Sequence, residues 1–185
     1  MAHVLPMNTL THLLRPTLLA FLLSACGPSI GTLQARAQSG GVEENAPLNV
    51  RREVLIRAPR EAVWRTLTDF AAWPQWQPEV SEVRTPTNLK PGATFEWKSG
   101  SYQIVSTLAL VEPNARIAWT GTASMAKAIH LWRLEQASPG VTRVIDEETM
   151  DGFLLTWFYS PKDLDADVAR SLERLQAAAE ARVRL

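Results

Sequence analysis

The chain has 185 residues, 46% of them hydrophobic and 21% charged, which suits a globular protein of one domain with appendages. Lys+Arg and Asp+Glu each number 19, so the clustered basic excess of a nucleic-acid binder is missing. The single cysteine, Cys26, excludes an internal disulfide and any metal site built from a cysteine cluster.

Residues 1–25 read as an address. Arg15 is the only Lys or Arg before Cys26, no acid occurs there, and the apolar run from Leu18 to Leu23 is too short to span a bilayer. Leu23-Ser24-Ala25-Cys26 resembles the bacterial lipobox, in which the small residues fit a narrow protease cleft and the cysteine thiol accepts a diacylglyceryl group. That resemblance implies a signal peptide over 1–25 and a lipid anchor on Cys26. It also implies a place in the cell envelope, facing the periplasm. Gly27 stands where an Asp often marks inner-membrane retention, which leans towards the outer membrane in a cell that has one. Two other readings stay open: release of a soluble secreted protein by cleavage after Ala35-Arg36-Ala37, or an uncleaved apolar run. From 26 to 47 the chain is rich in Gly, Ser, Pro, Gln and Asn and poor in large apolar groups, so a flexible linker is expected before a domain over 48–185.

Val50 to Ile56 has the alternation of a strand. Pro59 sets a helix start, Glu61 places an acid in the first turn, and Val63, Leu67 and Phe70 recur at helical spacing. Pro74 and Pro78 break that helix. Strands are expected at Val80–Arg84, Ala93–Lys98, Tyr102–Val111, Ala115–Thr122, Ala126–Glu135 and Val141–Met150, with turns at Lys90-Pro91-Gly92, Ser99-Gly100, Pro113-Asn114 and Ser138-Pro139-Gly140. Short connections between successive strands predict an antiparallel sheet. Gly152 to Tyr159 is a near-continuous apolar run, either a gate or membrane-touching lip or a buried lead-in to the last helix. Ser160-Pro161-Lys162-Asp163 is a capping box, and Leu164, Val168, Leu172, Leu175 and Ala179 fall on one face of a helix of about 23 residues, roughly 35 Å long. The other face carries Asp165, Asp167, Arg170, Arg174 and Glu180.

Several segments resemble one family when taken in order. These are Ile56-Arg57-Ala58-Pro59-Arg60-Glu61-Ala62-Val63-Trp64, Leu67-Thr68-Asp69-Phe70-Ala71-Ala72-Trp73-Pro74-Gln75-Trp76 and Leu89-Lys90-Pro91-Gly92, followed by His130 to Glu135, Gly140 to Val144 and Glu148 to Gly152. They are similar to the SRPBCC superfamily of START-like domains, which includes polyketide cyclase/dehydrase-type and Bet v 1-type proteins. The resemblance covers about residues 50–182. It implies an α+β helix-grip fold, a curved antiparallel sheet of six to seven strands wrapped on the last helix with a cavity between. Members bind lipids, polyketides or other apolar ligands, and a minority are enzymes. The partner implied is an apolar small molecule or lipid; no cofactor is implied.

Alternation places His130, Trp132 and Leu134 on one face, with Val144, Asp146, Glu148 and Met150, and Ile117, Trp119 and Gly121, in the matching phases of their own strands. The expected ligand-binding set is Trp119, His130, Trp132, Val144, Glu148, Met150 and Leu172. The opposite phase, with Arg133, Arg143, Glu147 and Asp151, is expected to face solvent. His130 with Glu148 or Asp146 is the only catalytic constellation, because imidazole titrates near neutrality and a carboxylate orients it. Such a set can move a proton in a cyclisation, dehydration or isomerisation, or it can serve as a polar corner for a ligand's head. His130 is the only histidine of the domain, which makes a transition-metal site a poor fit. A protein-interaction module is the third reading.

Overall fold

The computed structural model describes Gly27 to Arg184. The signal-like run and Cys26 lie outside the described residues. The elements in chain order are α1 (Ile30–Gln38), β1 (Leu48–Ile56), α2 (Arg60–Thr68), a 3-10 turn (Phe70–Ala72), α3 (Trp73–Trp76), β2 (Val80–Arg84), β3 (Thr94–Ser99), β4 (Tyr102–Glu112), β5 (Arg116–Ala123), β6 (Ala126–Ser138), β7 (Val141–Gly152), α4 (Leu155–Phe158) and α5 (Pro161–Val183). The strands form one antiparallel sheet in the order β1-β7-β6-β5-β4-β3-β2. Consecutive strands from β2 to β7 are neighbours, and β1 closes on β7. No helix among the described residues is long and apolar enough to cross a membrane.

The helix α5 forms as its sequence dictates. The Ser160 hydroxyl accepts from the Asp163 amide while the Asp163 carboxylate accepts from the Ser160 amide, so two amides left over at the helix start are satisfied. Its buried residues are Leu164, Val168, Leu172, Leu175 and Ala179, the stripe expected from the sequence. That stripe lies on the concave face of the sheet, mainly against β1, with α2 beside it. Each aliphatic side chain removed from water there contributes about 1.5–3 kcal/mol. Arg52, near the sheet edge, clamps Asp165 of α5 through two hydrogen bonds of 2.7 and 2.5 Å.

The segment Trp73–Trp76, expected as a break, is instead one turn of helix with Pro74 near its start, where its missing amide costs nothing. Trp73 folds inward and its indole donates to the Leu67 carbonyl at 2.9 Å.

The expected linker is also corrected. Within 26–47, residues Ile30–Gln38 form α1, capped by the Ser29 hydroxyl on the Thr32 amide. Leu33 and Ala37, one turn apart, are buried against Ala109, Ala118, Ile129 and Leu131 on the convex face of the sheet. Composition misses this because two apolar residues suffice when the sheet supplies the rest of the cluster. Arg133 and Glu147, expected in solvent, pair at 2.7 Å in partial burial, and Arg133 also donates to the Gly40 carbonyl at 2.8 Å just beyond α1.

A bulge would reverse the face assignments. The register of β6 on β7 runs unbroken from Ala126↔Gly152 to Gln136↔Thr142, and β5 on β6 from Arg116↔Arg133 to Ala123↔Ala126. The irregularities fall elsewhere, at Ala109 in β4, between Ser81 and Arg84, and past Gln136. The inward phase of the late strands therefore stands.

Candidate functional site

The concave face divides along its length. In one half, Phe70, Trp73, Phe95 and Trp119 fill the space between sheet and helices. Phe70 stacks on Phe95 at 4.5 Å, and Trp73 and Phe95 each lie 5.9 Å from Trp119. In the other half a cavity of about 820 Å³ remains, within the range of small-molecule sites. Its walls include Trp97, Ile104, Met150, Leu155, Leu164 and Val168. Its mouth lies at the end of the sheet where β3 turns into β4, β5 turns into β6, and β7 leaves for α4.

Of the expected ligand-binding residues, His130, Glu148 and Met150 line the cavity. Trp119, Trp132, Val144 and Leu172 do not; they are buried in the core. They point inward as alternation required, but neighbouring side chains fill the space before them. Conversely Asp167, Arg170 and Arg174, which the sequence puts on the face of the last helix away from its apolar stripe, line the cavity. The apolar stripe of α5 covers only part of the opening, so the polar flank borders the rest. Sequence reasoning did not single out Trp97, Ile104 and Met125; alternation along β3 and β4 was the signal for the first two.

His130 stands between two carboxylates. Its Nε2–H donates to Asp146 Oδ1 at 2.6 Å, and its Nδ1 lies 3.9 Å from Glu148 Oε2. The pairing follows from register: Trp119, His130 and Glu148 are opposite one another on β5, β6 and β7, as are Ile117, Trp132 and Asp146. The imidazole ring stacks on Trp132 and tilts against Trp119, each at 4.9 Å, faces that favour a cation. Burial works against protonation of His130, but the charges of Asp146 and Glu148 outweigh it and raise its pKa from 6.5 to about 9. Burial raises Asp146 and Glu148 above the ordinary carboxyl range, with the His130 charge opposing the rise in each. Asp146 is fully buried behind the ring, and its Oδ2, like the Trp132 indole N–H, has no hydrogen-bond partner. Asp146 therefore does not face the cavity; it holds the imidazolium that does.

Around this floor several polar groups are paired with one another. Tyr159 donates to Asp167 Oδ2 at 2.5 Å, and burial with the adjacent Asp167 raises the Tyr159 hydroxyl well above its usual pKa. Asp167 also pairs with Arg170, and Arg174 with Glu79 across the mouth. Trp97 donates to the Ser106 hydroxyl at 3.1 Å. Among the described residues no group of three His, Cys, Asp or Glu is arranged to hold a metal ion.

The fold agrees with what comparison finds. Solved structures with the same architecture include a hypothetical protein of Helicobacter pylori (18% identity, 74% of this chain and 90% of that one, TM-score 0.65). The Zhui aromatase/cyclase of a Streptomyces species is similar over 73% of this chain and 94% of its own, with 18% identity and a TM-score of 0.60. A START superfamily protein of Mycobacterium smegmatis matches with 18% identity over 74% and 97%, at a TM-score of 0.58. No curated protein matches the chain in sequence. Residues 47–180 match the family described as "Polyketide cyclase / dehydrase and lipid transport", and the chain belongs to that family, an SRPBCC domain of START-like, helix-grip architecture.

Proposed function

We propose that the protein is a cell-envelope carrier or sensor that binds an apolar small molecule or lipid in the cavity, with an uncharged polar end set against Glu148. The observation that carries this is the cavity itself: about 820 Å³, walled by apolar side chains, with His130 and Glu148 as its ionisable floor. Two carboxylates and one imidazolium disfavour a ligand carboxylate there. A hydroxyl or amide N–H can donate to Glu148 instead.

The same electrostatics weigh against base catalysis. An imidazole whose pKa is raised to about 9 is already protonated at neutral pH, and its best acceptor is Asp146. A cyclase, dehydratase or isomerase is the second reading, and Glu148 favours it: its raised carboxyl borders the cavity and can hand a proton to a bound ligand.

The envelope location rests on the lipobox-like Leu23-Ser24-Ala25-Cys26. The packing of α1 supports a cut before Cys26 over one after Ala37, because the later cut would strip Leu33 and Ala37 from the convex face.

Native mass spectrometry of the full chain, extracted from its host envelope, tests the proposal. The expected result is a defined bound mass that releases an apolar molecule with a hydroxyl or amide end, retained in Glu148→Gln at reduced occupancy. A conversion of that molecule that collapses in Glu148→Gln would favour the enzyme. An empty protein that takes up no apolar probe would overturn both readings.

A further inference from the structure

We propose that the rim of the cavity is a membrane-docking surface, so that the mouth opens into the lipid interface rather than into water. The rim is apolar out of proportion to the rest of the surface. Phe153, Trp157 and Phe158 are 70%, 77% and 82% exposed, and Tyr102 and Met125 are exposed beside the same opening. Scattered exposed apolar residues are ordinary, but a cluster of aromatics around one opening marks a contact surface. Trp, Phe and Tyr are the side chains suited to the interface, where a large ring is buried and a polar edge stays wet.

The backbone is bent to present them. Leu154 adopts a left-handed conformation (φ 59) and Ser124 another (φ 50). At a non-glycine residue each is disfavoured relative to ordinary backbone. A Cβ on Gly152 would meet the Met125 carbonyl oxygen at 2.7 Å, so the turn carrying Met125 and the segment carrying Phe153 press together as one lip.

The occupant is argued from where the chain arrives. Gly27 is packed on Asp151, whose carboxylate fills the space a Cβ would need, and the Pro28 carbonyl accepts from Lys127 at 2.7 Å. Asp151 and Lys127 are paired residues at the mouth end of β7 and β6. Cys26, the residue before Gly27 in sequence, is the anchor of the envelope location proposed above, and the docking rests on that reading. The described chain thus begins, at Gly27, at the end of the molecule that carries the aromatic rim, and a lipid on the preceding residue would bring the mouth to the bilayer. Two cations at the mouth already have acidic partners, Arg174 with Glu79 and Arg170 with Asp167, and Lys127 is held by the Pro28 carbonyl, so docking depends mainly on apolar insertion.

Trp157 provides the test. The other six tryptophans are buried or partly buried, which makes Trp157 the one exposed indole. The full chain is mixed with phosphatidylcholine vesicles carrying bromine on the upper acyl carbons. Docking predicts quenching of the emission that wild type has and Trp157→Phe lacks, loss of acrylamide access to that component, and little change at raised salt. Vesicle-bound protein whose Trp157 stays open to acrylamide and unquenched by bromine would overturn the proposal, as would a chain that does not sediment with vesicles. Shielding of Trp157 without vesicles, growing with protein concentration, would assign the rim to a second copy and also overturn it. Uptake of an apolar probe without vesicles, measured on the same sample, reports the cavity separately from the docking.

Discussion

The two halves of the concave face are built from the same strands and end in opposite outcomes. Towards α2 and α3, Phe70, Trp73, Phe95 and Trp119 interlock and leave no space. Towards α4, side chains such as Ile104, Met150 and Val168 stop short of one another and leave about 820 Å³ open. The difference is a matter of which helices cover each half. The turn from α2 through α3 drives Trp73 into the grip, whereas α4 is a single turn whose aromatics point outward. Aromatic content therefore does not make a binding site. Large rings that interlock close the grip at one end, whereas Trp97 and Tyr159 at the other line the cavity without filling it.

The strongest way to break this contrast is Trp119→Ala, which removes the ring between the plug and His130. It should cost about 3–5 kcal/mol in chemical denaturation. A folded variant should accept a longer apolar ligand, since the cavity would extend into the plug. A loss of under about 1 kcal/mol would mean the plug is already loose.

The ionic floor sharpens the contrast through pH. The pKa of His130 is higher in the folded state, so its contribution is fully present below about 6.5 and is lost as pH rises through about 9. Burial raises Asp146 and Glu148 as well, and each also favours the folded state more at lower pH. Thermal melts of the wild type should therefore fall between pH 6.5 and 9. Melting that rises over this window would contradict the assignment.

On the convex face, Leu33→Ala should cost about 2 kcal/mol if α1 is a packed part of the domain. No measurable effect would restore this segment to a tether. Ser160→Ala, which removes one half of the capping box, should cost about 1 kcal/mol, with protection of the first α5 amides falling in hydrogen exchange.

The sequence carried the frame well. The Leu164–Val168–Leu172–Leu175–Ala179 stripe, the capping box and strand alternation are local patterns, and each produced the element it implied. His130, Asp146 and Glu148 were also legible, because an unbroken two-residue period over β6 and β7 puts them on one face. What alternation cannot tell is depth. Trp119, Trp132, Val144 and Leu172 face inward like His130, but whether an inward residue lines a void depends on neighbours far away in the chain, Trp73 above all. The helix α1 was hidden for a related reason: four of the six buried residues of its apolar cluster lie on β4, β5 and β6, so no window around Leu33 contains them.

The most direct test of the account is a fluorescence titration of an apolar chain with a hydroxyl end against wild type and Met150→Trp. Met150 lines the open half, and a tryptophan there should fill it as Trp73 fills the other. The account predicts saturable binding to wild type, stronger than for the matching carboxylate, and at least tenfold weaker binding to a Met150→Trp protein that melts like wild type. Unchanged affinity in a folded Met150→Trp protein would contradict it, because the ligand would then lie somewhere other than this cavity.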